Sequence, residues 1–131
     1  MKTQSSRGII IKNEKILLIH RIKPSRNYYV LPGGKIEKNE NPEQALIREI
    51  KEETNLDIIS FKKLTEIEDE KRYAYYFIIE KYIGIPEIIG EEKEKSNEID
   101  KYILEWIELK DIKKLNIHPI QIKTRLIELF L

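Results

Sequence analysis

The chain contains no cysteine, which excludes disulfide stapling and thiolate metal sites. It also lacks any long hydrophobic run. No segment approaches the length that spans a bilayer, and residues 1–8 lack the apolar stretch of a secretory signal. Excess charge of one sign is missing too: Lys and Arg total 24 against 23 Asp and Glu, for a formal net charge of +1. No overall field therefore draws the chain to nucleic acid or to an anionic membrane, and no basic stripe is interleaved with aromatic residues. Internal repeats and interdomain linkers are absent. These absences predict a cytoplasmic protein with no membrane and no nucleic-acid polymer as partner; a homodimer stays open. The 131 residues suffice for one core and not two, so one domain is expected over residues 1–131.

What is present is a chain 40% hydrophobic and 36% charged, the balance of a globular domain with a heavily solvated surface. Residues 8–12 and 15–21 are Ile-rich runs separated by Asn13 and Glu14, which reads as a hairpin. A loop is expected over residues 23–27, a short strand over 28–31, and a turn at Pro32, Gly33 and Gly34. Residues 58–64 and 72–83 read as strands, the second rich in Tyr, Phe and Ile. A charged loop covers residues 84–97, a last strand 102–109, and an amphipathic helix 117–131. Strands on both sides of a central helix, with a helix at the end, predict an α/β sandwich in which helices flank a mixed sheet.

The central helix is the best marked element. Asn41 is a good N-cap, Pro42 suits the first helical position, and Gln44 completes a capping box. Leu46, Ile47 and Ile50 share one face for packing. The helix should close near Thr54, because Asn55 tolerates the left-handed conformation that ends helices.

On that helix Glu49, Glu52 and Glu53 fall at offsets of zero, three and four, hence on one face. Like charges at these spacings repel by roughly 0.2–0.5 kcal/mol per pair. They also stand in the last turns, where the macrodipole favours cations. A local rule broken three times over is a mark of function, and a divalent cation would reverse its sign, since Mg²⁺ and Mn²⁺ prefer carboxylate oxygen. With 19 Glu in the chain, composition alone can also cluster glutamates on a solvated face. Spacing separates the two readings.

Gly34, Glu40, Arg48, Glu49, Ile50, Glu52, Glu53, Asn55 and Leu56 follow the pattern G-x5-E-x7-R-E-U-x-E-E-x-G-U, where U is aliphatic. This resembles the Nudix box. One defining position departs: Asn55 stands where the family carries glycine. If that glycine serves a left-handed cap, Asn is the next-best residue; if it makes room for substrate, activity suffers. The surrounding Leu31 to Glu37 and Pro42 to Ala45 wording is similar to MutT-like members. The resemblance implies a Nudix-like α/β/α sandwich and a hydrolase of diphosphate bonds in nucleotide-like small molecules.

It also implies roles. Glu49 and Glu53 would ligate the metal, Mg²⁺ with Mn²⁺ as the alternative, with Glu52 adding a direct or water-mediated contact and a carbonyl of Gly33 or Gly34 completing the site. Glu40 and Arg48 would be structural supports. Glu52, Glu53 and Glu98 are the candidates for activating water, Glu98 because it follows the charge run and precedes a strand; Glu94 and Asp100 compete with it. Lys35 and Arg21, with Arg26 a weaker candidate, are expected at substrate phosphates. Tyr73 stands where dinucleoside polyphosphate hydrolases of the family tend to carry Tyr, and sheet packing is the competing role for it. Nucleoside triphosphates, oxidised ones included, are the first expected substrates and dinucleoside polyphosphates the second. The competing function is a non-catalytic Nudix domain that binds a nucleotide and regulates a partner.

Overall fold

Apolar runs without alternation become strands buried on both faces, and that is how the first third of this chain folds. The computed structural model describes residues 2–87 and 99–131. Strands β1 (Thr3–Ile9), β2 (Ile11–Lys12), β3 (Lys15–Lys23), β4 (Arg26–Val30) and β5 (Gly33–Lys35) precede helix α1 (Pro42–Thr54). Strands β6 (Asp57–Glu68), β7 (Arg72–Ile83) and β8 (Lys101–Glu108), a 3₁₀ turn (Leu109–Lys114) and helix α2 (Ile120–Phe130) follow. One sheet has the order β5-β1-β7-β6 and is mixed, since β1 runs parallel to β7 while its other pairs are antiparallel. The other gathers β2, β4 and β8 antiparallel around β3.

Helices cover both sides of these sheets because neighbouring strand residues point to opposite faces. Ile16 and Leu18 pack with Ile9, Leu31 and Tyr76 against Ile122 and Leu126 of α2. Leu17, between them, packs with Ile10, Phe77 and Ile79 against Leu46 and Ile50 of α1. The expected α/β/α layering is therefore present. Among the described residues no helix is long and apolar enough to cross a membrane.

Helix α1 starts and stops where its caps dictate. Asn41 accepts the Gln44 N–H at 2.7 Å and the Gln44 side chain accepts the Asn41 N–H at 2.9 Å. Asn55 takes the left-handed conformation, φ 65°, and donates its N–H to the Lys51 carbonyl. Three local expectations need correction. Ile47 is 44% exposed; the apolar stripe is narrower than expected, and a step of about 100° from Leu46 turns Ile47 outward. Residues 33–35 form a strand on β1 rather than a turn, because a residue without Cβ can approach Ser6 and Arg7 that closely. The last helix begins at Ile120, not residue 117, since Pro119 holds His118 out of helical conformation.

Candidate active site

Helix α1 lies against β1 and β5, which brings its glutamate face to the glycine strand. Glu53 is 7% exposed, and its Oε1 accepts the Gly33 backbone N–H at 2.7 Å. Glu49 sits still closer to Gly34: a Cβ there would lie 2.3 Å from Glu49 Oε2. Gly33 has φ 143°, and a Cβ on it would lie 2.1 Å from the Ser6 carbonyl oxygen. Both glycines are thus required, one by the backbone of β1 and the other by a carboxylate.

Arg48 organises the surrounding acids. It donates Nε and Nη2 to the two oxygens of Glu40 at 2.7 and 2.8 Å, a bidentate pair. Nη1 reaches Glu49 at 2.8 Å and Glu52 at 3.2 Å, and Nη2 also reaches the Lys35 carbonyl at 2.9 Å. The guanidinium, helped by the Glu37 N–H, holds the Glu40 carboxyl down at about 2. Glu40 in return raises the already high pKa of Arg48. The pairing ties the loop over residues 35–40 to the helix.

Gly33, Gly34, Lys35, Glu49 and Glu53 line a cavity of about 440 Å³, together with Arg7 and Arg21. A second cavity, of about 350 Å³, shares Arg7, Arg21 and Val30 with the first and extends past Tyr28 and Tyr76 to Gln121. Arg21 is held at their junction. Its Nη2 donates to Asp100 at 2.5 Å, its Nε to the Lys101 carbonyl at 3.3 Å, and its guanidinium lies 3.5 Å from the Tyr102 ring centroid. Asp100, a competitor for the acidic role of Glu98, is thereby committed to Arg21. Glu98 and Glu94 lie outside the described residues.

Tyr73 lines neither cavity. Strand alternation puts it on the α1 face with Tyr75, ring centroids 5.1 Å apart, and its hydroxyl donates to Glu66. That bond pushes the Tyr73 phenol up to about 12. The neighbours of opposite parity, Ala74 and Tyr76, face the second cavity instead. Arg7, which no motif singles out, lines both cavities and donates Nη1 to the Leu31 carbonyl at 2.8 Å. Its one trace in the sequence is a lone charge at the head of an apolar run.

The donor set fits a hard divalent cation in kind: two carboxylates and glycine carbonyls, with no sulfur or imidazole. Glu52 is turned toward Arg48 and 54% exposed. Among the described residues no three acidic or imidazole groups converge as a ready metal cluster, so Glu52 joins Glu49 and Glu53 only by leaving Arg48.

The NUDIX domain profile matches residues 2–126. The chain belongs to the Nudix hydrolase family. Its Nudix box is the segment from Gly34 to Leu56, placed on β5 and α1 as described. An 8-oxo-dGTP diphosphatase of Buchnera aphidicola is 35% identical over 116 residues, 83% of this chain and 79% of that protein. An ADP-ribose pyrophosphatase of Methanocaldococcus jannaschii is 54% identical over 50 residues, 37% of this chain and 30% of that protein. A MutT structure from work on Aliivibrio salmonicida and Vibrio cholerae superposes with a TM-score of 0.79 at 19% identity, covering 99% of this chain and all of that one; it shows the shared fold. These likenesses make the chain a MutT-like Nudix hydrolase. Nudix hydrolases generally use divalent metal ions.

Proposed function

We propose that this Nudix hydrolase cuts a diphosphate bond of a nucleoside triphosphate, oxidised ones included, with a divalent cation, Mg²⁺ or Mn²⁺, at Glu49, Glu53 and a carbonyl of Gly33 or Gly34. One observation carries the reading: the cavity lined by the two carboxylates shares Arg7, Arg21 and Val30 with a second cavity, which Tyr28 and Tyr76 help to line. A phosphate chain fits the first and a nucleoside the second. The 8-oxo-dGTP diphosphatase relative supports the substrate class. A cytoplasmic location belongs to the same proposal, since a free nucleotide pool would supply the substrate.

When bound, the cation neutralises phosphate oxygens and lowers the pKa of a coordinated water. The chain does the rest. Lys35 and Arg21 hold non-bridging oxygens, and Arg7 contributes charge at the junction. Water adds its oxygen to phosphorus as the bond to the bridging oxygen breaks, and that oxygen leaves with the other phosphate. Glu52, the most exposed of the three helical carboxylates, is suited to take the proton, with Glu98 as the alternative. Glu53 is buried and committed to the Gly33 N–H, which suits a fixed ligand better than a mobile base. Dinucleoside polyphosphates lose the support that Tyr73 would have lent them, because that residue lines neither cavity.

A nucleotide panel with Mg²⁺ or Mn²⁺, read by product identification, tests this. Wild type should release phosphate or pyrophosphate only with metal, and Glu53→Gln should lose turnover by orders of magnitude with its metal-free fold intact. Nucleotide binding by wild type without product release would transfer the site to the non-catalytic, regulatory reading. A Glu53→Gln enzyme with most of its activity would remove Glu53 from the site.

A further inference from the structure

Among the described residues Tyr76 is the largest side chain that is fully buried, at 1% exposure. Its ring sits in the core cluster with Ile9, Leu31, Ile122 and Leu126. A buried phenol ordinarily finds a hydrogen-bond partner, and even the less buried Tyr73 hydroxyl has one in Glu66. The Tyr76 hydroxyl makes no hydrogen bond to any described residue. Nor is that oxygen sealed in, because every sealed polar side-chain atom among the described residues has a partner. It opens instead into the second cavity, which Tyr76 lines.

The sheet fixes where in the cavity this hydroxyl stands. Tyr76 on β7 is the register partner of Arg7 on β1, and directly paired residues are neighbours on one face of a sheet. Arg7 lines the carboxylate cavity as well as the second one. Tyr76 does not line the carboxylate cavity, so it is the first step into the second cavity from the shared arginine. Electrostatics agrees with that placing. Burial raises the Tyr76 pKa, and the nearby Arg7 charge partly opposes the rise. The phenol therefore stays a neutral hydroxyl, able both to donate and to accept. With the phosphate chain at Arg7, the next part of a nucleotide along the cavity is its sugar, and the base lies beyond.

We propose that Tyr76 is a specificity-determining residue that reads the sugar: its hydroxyl bonds a ribose hydroxyl, 2′ or 3′, of the nucleotide in the second cavity. The proposal rests on the reading that a nucleoside occupies that cavity. A buried hydroxyl without an internal partner gives the empty protein nothing and binds only when a ligand completes it. Stability and affinity should therefore respond in opposite ways to loss of that one oxygen.

Tyr76→Phe removes only that oxygen and keeps the ring in the core. Without nucleotide the variant should melt no lower than wild type; a clearly lower melting temperature would mean an internal partner and overturn the proposal. Steady-state kinetics on GTP, 2′-deoxy-GTP and 3′-deoxy-GTP supply the other half. On GTP the variant should lose about tenfold in kcat/KM, through KM with kcat kept, the scale of one hydrogen bond left unmade. On the analogue that lacks the hydroxyl being read, wild type and variant should agree, which tells 2′ from 3′. Equal KM for both proteins on GTP overturns the proposal, as does a tenfold difference that persists on both deoxy analogues. Either result leaves the hydrolase reading standing. Turnover of none of the three by wild type counts against the hydrolase reading instead, and calorimetry with GMP, 2′-deoxy-GMP and 3′-deoxy-GMP then decides the role of Tyr76. Tighter GMP binding by wild type than by Tyr76→Phe, with the difference lost on one analogue, upholds it; equal binding, or none, overturns it.

Discussion

Adjacent glycines at the proposed active-site cavity should fail in opposite ways when each is given one methyl group. In Gly33→Ala the new Cβ meets backbone, at 2.1 Å from the Ser6 oxygen and 2.6 Å from Arg7 Cα, on a residue whose φ of 143° disfavours any side chain. The conformational strain costs about 1–3 kcal/mol, and forcing β5 off β1 costs about 1–3 kcal/mol more. The expected loss of about 2–6 kcal/mol lowers the melting temperature by roughly 8–24 °C, at about 4 °C per kcal/mol for a domain of this size. In Gly34→Ala the three atoms nearest the Cβ all belong to the Glu49 carboxylate, at 2.3 to 2.9 Å. The end of a side chain can swing aside, so stability should change by about 1 kcal/mol or less, as for a substitution outside the named destabilising mechanisms. Glu49 is then displaced by an ångström or more, and misplacement on that scale costs about 10²-fold in rate. Thermal melts by circular dichroism and metal-dependent nucleotide turnover read the two effects separately. A Gly34→Ala enzyme with wild-type turnover, or two variants equally unstable, would refute the assignment of Glu49 to the reacting end.

Three further outcomes are expected. Divalent cation at 100 times its dissociation constant should stabilise the chain by about 2.7 kcal/mol, even in high monovalent salt; melts should show that gain nearly abolished in the Glu49→Gln, Glu53→Gln double variant, and equal stabilisation of both proteins would place the metal elsewhere. Glu40 is held at about 2, below its ordinary 4.5, so its contribution to stability is present above about pH 4.5 and lost as pH falls toward 2; over that window denaturant midpoints should fall more steeply in wild type than in Glu40→Gln. Asn55→Gly should change stability by about 1 kcal/mol or less, since both residues accept the φ of 65° found there, and should leave the metal requirement unchanged; a large gain in rate would mean that Asn55 crowds the substrate.

The sequence by itself determined everything that depends on short-range spacing. Helix α1 was legible to the residue because caps act over three or four positions: Asn41 with Gln44 at one end, Asn55 with Lys51 at the other. The glutamate face was legible for the same reason, since offsets of zero, three and four fall on one side of a helix, whereas the places of Gly33, Gly34, Glu40 and Arg48 were expected only from the family resemblance. Strand β7 was placed over residues 72–83 by composition alone. Which of its residues face the second cavity was not, because parity is set by what packs on each side of the sheet. Tyr73 and Tyr76 are equally aromatic, yet one meets Glu66 on the α1 face and the other the cavity. Arg7 shows locally only as a lone charge before an apolar run, since its place at the cavities comes from parallel pairing with Tyr76, 69 positions away. The meeting of Arg21 with Asp100 likewise needs segments that only tertiary packing brings together. Electrostatics between distant residues is decided by distance in space, and the chain encodes that only through its fold.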